Sequence, residues 1–332
     1  MSDSSRLLGE IVVVCPVYED WPAIRLLLPR IDAALSPIVS SARVLLVNDG
    51  SATPPPNDLV DSSLHTIMEV RVLELRRNVG HQRALAIGLA YAEVNMACDA
   101  VVVMDGDGED NPDDVPRLLA AMCGARPSSV VFAQRTRRSE GIVFTTLYHL
   151  YRTAHRILTG IPVQVGNFSV IPRAVLGRLV VVSDLWNHYA AAVFQSRIPY
   201  TMVPTARARR LSGESRMNFI ALVAHGLSAI AVFADRVGVR ILIAAGTLCV
   251  ISIGLLGAIV ARGVMTGVAA PVWLFAGIVV SIVLTIQLAA TAGLFVLQVL
   301  FARASSTFIP TRDHPFFVHS AESVWKRDAE RV

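Results

Sequence analysis

Two long runs without a charged side chain constrain what this chain can fold into. The first run, Ile241–Ala261, has 21 residues, the second, Gly263–Ala302, has 40, and Arg262 alone separates them. At about 1.5 Å per residue the first run forms a helix of roughly 31 Å, close to the ~30 Å thickness of a bilayer's hydrocarbon core. One such run also suits a buried core helix, but two adjacent runs favour two transmembrane helices.

The orientation of this helical pair follows from its flanks. Met265–Gly267 and Pro271 predict a turn, followed by a helix from about Val272 to about Leu300. Arginine and lysine lie on both outer flanks, whereas the connection holds only Arg262. By the positive-inside rule both ends face the cytoplasm, and the first ten residues lack the build of a signal peptide. We expect a multi-pass protein of the cell membrane with its N-terminal domain and both termini in the cytoplasm.

Charge outside the apolar runs narrows the set of partners. The net charge is +4 in 332 residues, with a mean hydropathy of +0.53, which indicates a soluble domain joined to a membrane segment. The basic residues around the apolar runs are Arg207, Arg209, Arg210, Arg216, Arg236, Arg240, Arg303, Arg312, Lys326 and Arg327. Such a belt attracts anionic lipid or a lipid phosphate. No nucleic-acid-reading motif accompanies it, so we expect no nucleic-acid partner. The four cysteines lack paired spacing, which excludes a disulfide framework or zinc site.

The composition predicts four segments. They are an α/β domain over residues 1–215, a juxtamembrane helix over 216–237, a transmembrane hairpin over 238–302 and a cytosolic C-terminal tail over 303–332. Residues 217–233 are apolar without acidic side chains. They suit either an interfacial helix on the membrane or a helix packed on the α/β domain, and the sequence leaves both open.

Short apolar runs that alternate with helical patterns predict a mostly parallel α/β sheet in the first segment. The predicted strands are Ile11–Cys15, Val44–Val47, Val70–Leu75, Ala100–Met104 and Val130–Ala133, and the predicted helices are Trp21–Leu35, Gln82–Ala92 and a helix capped by Asp113 or Asp114 that ends near Met122. Polar motifs follow four of the strands: Pro16–Asp20, Asn48–Ser51, Asp105–Asp110 and Arg135. Ligands bind beyond the carboxyl ends of such strands, so we expect one site there.

The acidic motif after the fourth predicted strand suits a metal ion. Asp105, Asp107 and Glu109 alternate along the chain, so their side chains can share one face. Carboxylates held together repel one another unless a cation lies between them, and Mg²⁺ or Mn²⁺ prefers oxygen ligands while leaving places for phosphate. The plain alternative is a solvated acidic turn.

Two other ligand classes are excluded. A helix–loop–helix calcium site needs Gly at its sixth position and Glu at its twelfth, where this chain has Asp110 and Pro116. A dinucleotide-binding fold needs Gly-x-Gly-x-x-Gly after the first strand, where this chain has Cys15–Glu19.

Six motifs in order resemble one family. They are CPVYED (15–20), VNDGS (47–51), RNVGHQRALAIGLAYA (77–92), VVVMDGDGEDNPDDV (101–115), VGNFSVIPR (165–173) and RRLSGESRMN (209–218). With two apolar helices after them, they resemble glycosyltransferase family 2, and within it the polyprenyl-phosphate, dolichol-phosphate-mannose-synthase-like group. The resemblance covers about residues 10–320 and rests on the order and spacing of the motifs together.

The resemblance implies a GT-A fold and inverting transfer of a sugar from a nucleotide-sugar to a lipid-linked phosphate. It assigns contacts with the nucleotide-sugar to Pro16, Tyr18, Glu19, Asp49, Asp105, Gly106, Arg210 and Ser215. It assigns the metal ion to Asp105, Asp107 and Glu109, the last standing where the group commonly has Gln. It assigns catalytic roles to Asp105, Asp107, Asn167 and Arg135, with Arg135 near the acceptor phosphate.

Asn167 departs from the group, which usually has Gly-Asp-Phe where this chain has Gly166-Asn167-Phe168. Either the enzyme is inactive or its chemistry does not need that carboxylate. We favour the second interpretation, because a phosphate oxygen is already anionic near pH 7 and is itself a nucleophile. Stabilising the leaving group is then the main task, which a metal ion and arginine can perform. We expect Asn167 to position the acceptor or the sugar by hydrogen bonds.

Other polar residues keep two interpretations each. His81 and Gln82 either contact the donor or cap a helix, and Asp184 or His188 either meets the sugar or belongs to a core helix. The latter segment lacks the Gln-x-x-Arg-Trp of processive polysaccharide synthases. A helix predicted over 142–158, with Tyr148 and Tyr151, either lines a lipid path or packs in the core.

The sequence therefore predicts a transferase that moves one sugar from a UDP- or GDP-sugar to a polyprenyl phosphate. A transferase acting on a glycolipid hydroxyl is the first alternative; it needs a general base, which Asn167 cannot be, so Asp184 or Glu214 must serve. A non-catalytic nucleotide-sugar-binding scaffold is the second. The sequence leaves homo-oligomerisation open.

Overall fold

The computed structural model describes residues 8–60, 64–124, 129–135, 152–161, 165–213, 219–267, 271–304 and 308–327. Contacts divide the chain into two units. The first comprises Met1–Thr146, Val163–Val232 and Phe308–Val332, and the second comprises Leu147–Pro162 and Phe233–Thr307.

Within the described residues, the first unit contains a mixed sheet of eight strands. They are β1 (Leu8–Val17), β2 (Val39–Asn48), β3 (Ile67–Leu75), β4 (Ala100–Val103), β5 (Val130–Arg135), β6 (Val165–Pro172), β7 (Tyr200–Thr205) and β8 (Val318–Lys326). Their order is β7-β5-β6-β4-β1-β2-β3-β8. All neighbours are parallel except β6, which is antiparallel to β4 and β5, and β8, which is antiparallel to β3. The predicted mostly parallel α/β fold is confirmed.

The helices are α1 (Trp21–Leu35), α2 (His81–Asn95), α3 (Val115–Gly124), α4 (152–159), α5 (Arg173–Leu179), α6 (Tyr189–Gln195), α7 (Phe219–Ala231), α8 (Ala234–Thr266), α9 (Val272–Ala304) and α10 (Pro310–Asp313). Short 3₁₀ turns cover Pro112–Asp114, Ser183–Trp186 and His314–Phe316. The predicted helix over 142–158 is described only from residue 152, so Tyr148 and Tyr151 lie outside the described residues.

Helices cover both faces of the sheet, which explains why β1 is apolar without alternation. Successive strand residues point to opposite faces. Val12 and Val14 therefore pack in the core that contains α2, while Val13 and Cys15 pack in the core that contains α1. Strand β1 lies between β2 and β4, where the strand order reverses, and this is the place where open α/β sheets bind ligands.

The C-terminal segment returns to the first unit. Residues predicted as a cytosolic tail form α10 and β8, and β8 pairs with β3 from Leu75↔Val318 to Glu69↔Lys326. Phe317 lies against Trp186, with ring centroids 5.0 Å apart. The sequence did not predict β6, β7 or β8.

The second unit contains the two longest helices, α8 and α9. Both are long and apolar enough to cross a membrane, and only 11% of each apolar window is buried. The predicted spans lie within them. Met265 and Thr266, which were predicted to belong to a turn, are instead the last residues of α8; Gly267 follows in a left-handed conformation (φ +66°), and Pro271 precedes α9. Ser252 Oγ lies 3.2 Å from Ser281 Oγ and joins the two helices.

Candidate active site

The loop that leaves β4 folds back on itself and lies close to the loop that leaves β1. Asp110, which is buried, accepts a hydrogen bond from the Asp105 backbone N–H at 3.0 Å. Asp107 Oδ1 accepts one from the Glu109 N–H at 2.9 Å. A Cβ at Gly106 would lie 3.1 Å from the carbonyl oxygen of Pro16, so glycine permits this close approach of the two loops.

Arg210 joins three pieces of chain at this site. Its Nη1 lies 3.1 Å from Asp107 Oδ2, its Nη2 lies 2.7 Å from Asp20 Oδ1, and its Nε donates to the Ser212 carbonyl at 3.0 Å. The Arg210 side chain is only 16% exposed, so these contacts are largely shielded from water. Arg210 thus connects the loop after β1, the loop after β4 and the segment after β7.

The segment after β7 is docked on the acidic loop, and we call residues 206–213 the docking segment. Ala208 N–H donates to the Glu109 carbonyl at 2.9 Å, and Leu211 N–H donates to the Asp107 carbonyl at 3.0 Å. The Arg207 side chain forms an ion pair with the Glu109 carboxylate. Two arginines therefore neutralise part of the charge of the acidic loop.

His81, the first residue of α2, reaches the same loop from the other side. Its Nε2 lies 3.2 Å from Asp105 Oδ1 and 2.8 Å from Asn167 Nδ2, so both groups compete for one ring nitrogen. Burial lowers the pKa of His81, but the carboxylates of Asp105, Asp110 and Asp107 outweigh it, and the pKa is raised. Burial, followed by the charge of Asp105, also raises the pKa of Asp107. Neighbouring carboxylates contribute to both shifts, and a cation would stabilise their negative charge.

Two residues that were predicted to contact the nucleotide, Asp49 and Glu19, form hydrogen bonds with the backbone of nearby loops. Asp49 accepts hydrogen bonds from Val79 N–H at 2.7 Å and Gly80 N–H at 2.9 Å, and burial raises the pKa of its carboxyl group. Glu19, with a left-handed φ of +56°, accepts a hydrogen bond from Thr53 N–H at 3.3 Å and one from Ala52 N–H. A strained backbone at a non-glycine residue is common at binding sites. Contact of either side chain with a nucleotide stays a prediction.

The structure describes the side chains of some of the remaining predicted site residues and not of others. Tyr18 is 43% exposed, and Pro16, near the end of β1, has its carbonyl oxygen close to Gly106 of the acidic loop. Arg135 is the last residue of β5, but its side chain lies outside the described set, as does Ser215. Asn167 lies on β6 and contacts His81.

A metal ion fits part of the predicted ligand set. Asp105 and Asp107 are hard oxygen donors in a loop with excess negative charge, which suits Mg²⁺ or Mn²⁺. Glu109 instead pairs with Arg207. Within the part of the chain that the structure describes, no three His, Cys, Asp or Glu side chains form a metal-binding group. The ligand set therefore stays a prediction.

Sequence reasoning did not single out Asp20, Asp110 and Arg207 as site residues. Asp20 and Asp110 are the last residues of two motifs that the sequence analysis named, and Arg207 is three positions before Arg210. This closeness along the chain was the available signal. It left α7 as interfacial or packed. In the structure α7 belongs to the first unit, and its His225 ring lies 4.7 Å from the His188 ring. Burial, followed by the nearby charge of His81, lowers the pKa of His225.

The fold and the acidic loop are those of a sugar-transferring α/β enzyme, with Asp-x-Asp at the point where the strand order reverses. The chain matches the model described as Glycosyl transferase family 2 over residues 12–180, just over half of its length. It belongs to that family, and it is a glycosyltransferase. The predicted GT-A fold class, with two apolar helices after the domain, is confirmed.

Three relatives show the level of similarity. The glycosyltransferase YkcC of Bacillus subtilis is 26% identical over 232 residues, 68% of each chain. Undecaprenyl-phosphate 4-deoxy-4-formamido-L-arabinose transferases of Klebsiella pneumoniae and Erwinia tasmaniensis are 24% and 25% identical over 220 and 230 residues. The matched region spans 64% and 66% of the length of these two relatives, slightly less than two thirds.

Among solved structures, glucosyl-3-phosphoglycerate synthase from Mycobacterium tuberculosis, in complex with Mn²⁺, UDP and phosphoglyceric acid, is similar at a TM-score of 0.49 and 18% identity. The match covers 69% of this chain and 78% of that one.

Proposed function

We propose that this glycosyltransferase moves one sugar from a nucleotide-sugar, a UDP- or GDP-sugar, to a polyprenyl phosphate, with inversion and with Mg²⁺ or Mn²⁺. Similarity to two undecaprenyl-phosphate transferases supports the acceptor class. The two long apolar helices support a membrane location, where such a lipid is found. We extend the proposal to a cytoplasmic catalytic domain, because both flanks of the helical pair are basic.

The observation that carries the proposal is the contact of Arg210 with Asp107 and Asp20 at the reversal of strand order. This contact brings carboxylates that suit a divalent ion next to the fixed positive charge of Arg210, at a site that is largely shielded from water. Asp105 and Asp107 would hold the ion, which when bound stabilises charge on the departing nucleoside diphosphate. Arg207 and Arg210 keep two further positive charges at the same loop.

Asn167 fits an acceptor that needs no general base. A polyprenyl phosphate is a phosphate monoester, largely ionised at neutral pH, so its oxygen can attack the anomeric carbon without losing a proton to the enzyme. Asn167 then binds and orients one of the reactants. Holding both reactants side by side supplies much of the rate acceleration.

The test is transfer by the purified full-length protein in detergent or nanodiscs. UDP- and GDP-sugars are supplied with polyprenyl phosphate, with Mg²⁺, Mn²⁺ or EDTA, and nucleotide release and labelled lipid are measured. We expect release that depends on the lipid phosphate and the divalent ion. Asp107→Asn should lower kcat by about 100-fold or more, because a metal donor is lost.

Asp99→Asn is the matched control, since Asp99 precedes β4, at the opposite end of that strand from the acidic loop. The amide oxygen of the new asparagine can still accept a hydrogen bond from the Glu10 N–H. Full metal-dependent turnover by Asp107→Asn would contradict the proposal. Release only with a glycolipid hydroxyl would support a different acceptor. No release with any donor, despite donor binding, would indicate a scaffold.

A further inference from the structure

A chain of hydrogen bonds runs from the buried interior to Asn167. Tyr189 N–H donates to Gln82 Oε1 at 2.7 Å, and Gln82 Nε2 donates to Asn167 Oδ1 at 3.1 Å. Asn167 Nδ2 then lies 2.8 Å from His81 Nε2. Tyr189 is fully buried and Gln82 is 8% exposed, so the start of the chain is shielded from water.

The polarity of this chain is fixed at its buried end. A backbone N–H can only donate, so the Gln82 atom that faces Tyr189 must be the carbonyl oxygen. The amide nitrogen of Gln82 then faces Asn167 and can only donate, so the Asn167 atom that it meets must be Oδ1. The NH₂ group of Asn167 is therefore left pointing to His81 and the end of the site where Asp105 lies.

The main chain of Asn167 is held by the same tyrosine. Ser169 Oγ donates to the Asn167 carbonyl at 2.8 Å, and it lies 2.7 Å from the Tyr189 hydroxyl. Because the serine has one hydroxyl proton, the tyrosine O–H must be the donor in the second contact. Burial raises the pKa of Tyr189, which keeps that donor protonated. Tyr189 thus fixes both the backbone and, through Gln82, the side chain of Asn167.

We propose that Gln82 is a positioning residue that orients the Asn167 amide, so that position 167 presents an N–H donor to the reactants. This proposal rests on the proposed function. It means that the N–H group of Asn167 binds a hydrogen-bond-accepting oxygen, either on the sugar or on the acceptor phosphate. An aspartate at this position would present an acceptor instead. The amide is therefore an element of specificity that Gln82 and Tyr189 maintain.

Gln82→Glu tests the polarity directly. The new carboxylate keeps the size of the side chain and can still accept from Tyr189 N–H, but its second oxygen faces Asn167 as an acceptor. The Asn167 amide should then turn so that its NH₂ meets this carboxylate and its oxygen faces His81. The readout is the side-chain amide spectrum of the full-length protein in detergent, labelled with ¹⁵N-asparagine and recorded without substrate. Absence of a signal in Asn167→Asp identifies the Asn167 resonance.

We expect the Asn167 resonance to move in Gln82→Glu while that of Asn95 stays in place. Asn95 is an internal control, because it lies at the other end of α2 and donates to the Tyr91 carbonyl. In turnover assays kcat should fall at least about tenfold, with KM for the nucleotide-sugar changed less than about threefold. An unmoved Asn167 resonance, an Asn95 shift of equal size, or an unchanged kcat would each overturn the proposal.

Gln82→Met provides a second variant if the carboxylate prevents folding. It removes both hydrogen bonds at constant size, so the Asn167 amide should lose its distinct shift and exchange faster with water. Retention of the wild-type resonance would overturn the proposal. The amide spectra need no substrate, so absence of turnover with every donor would count against the proposed function alone.

Discussion

At the scale of single residues, the charge of the acidic loop is balanced by side chains from distant parts of the chain. Arg210 neutralises Asp107 and Asp20, Arg207 neutralises Glu109, and His81 lies beside Asp105. A divalent ion at Asp105 and Asp107 would take over part of this task. The protonation of His81 should therefore report whether the ion is bound.

We predict that Mg²⁺ lowers the pKa of His81. In the metal-free protein burial opposes protonation, but Asp105, Asp110 and Asp107 raise the pKa above its usual value. A bound ion cancels much of that carboxylate charge, so the imidazolium loses its stabilisation. NMR titration of the histidine ring with and without Mg²⁺ measures the shift. A His81 pKa that ignores saturating Mg²⁺ would contradict ion binding at these aspartates.

The raised pKa of His81 also determines how the stability of the metal-free protein depends on pH. Because the folded pKa of His81 is raised, its protonation stabilises the metal-free fold below the unfolded value of about 6.5. That contribution is lost as pH rises through the raised folded pKa. In EDTA, the difference in melting temperature between wild type and His81→Gln should be larger at pH 6 than at pH 9. His65→Gln, at an exposed residue, is the control for loss of a histidine elsewhere in the fold.

At the scale of elements, the docking segment can pack on the acidic loop because one residue of that loop, Gly108, has no side chain. Gly108 has a left-handed φ of +81°, and a Cβ there would lie 2.3 Å from Leu211 Cγ. A side chain at this position must move the Leu211 side chain from its place against the acidic loop. Leu211 directly follows Arg210 in the docking segment, so we expect the contact between Arg210 and Asp107 to weaken as well.

We predict that Gly108→Ala weakens both the fold and donor binding. The left-handed backbone alone costs about 1 kcal/mol in the free energy of unfolding, and the clash with Leu211 adds to it. Thermal unfolding and titration with UDP and GDP in the presence of Mn²⁺ measure the two effects. Gly213→Ala is the matched control, since Gly213 also has a positive φ, of +71°, but no atom of the residues that the structure describes lies within 4 Å of its added Cβ. Equal loss of nucleotide affinity in both variants would show that the clash is irrelevant.

At the scale of the whole molecule, the first unit is built from both ends of the chain. The chain leaves it after Val232, forms α8 and α9, and re-enters it at Phe308 to supply β8. The backbone of Arg76 also donates to the Phe317 carbonyl at 2.9 Å. The last strand therefore covers an edge of β3 that would otherwise have unpaired backbone groups.

We predict that ending the chain after Ala304 destabilises the α/β unit and promotes association through β3. The midpoint of thermal unfolding should fall by about 5 °C or more, and size-exclusion chromatography should show larger species. A chain ended after Arg327 keeps β8 and serves as the control. An unchanged midpoint in the shorter chain would show that β8 contributes little to the sheet.

Short-range patterns were enough to predict the parts of this protein that depend on local chemistry. Uncharged length predicts α8 and α9, apolar runs predict β1 to β5, and the spacing of Asp105 and Asp107 predicts an acidic loop at a strand end. These features follow from the hydrophobic effect and backbone periodicity within windows of about 20 residues. The α/β fold class follows from the same alternation of strand and helix patterns, whereas the family was predicted from a resemblance that rests on the order and spacing of six motifs.

Only the tertiary structure decided which distant residues meet. Asp20 and Arg210 are separated by 190 positions, and His81 and Asn167 by 86. The antiparallel placement of β6 and the return of β8 to β3 belong to the same class of long-range pairing. Such contacts depend on how loops close and how side chains pack across the whole sheet, and no short stretch of sequence contains that information.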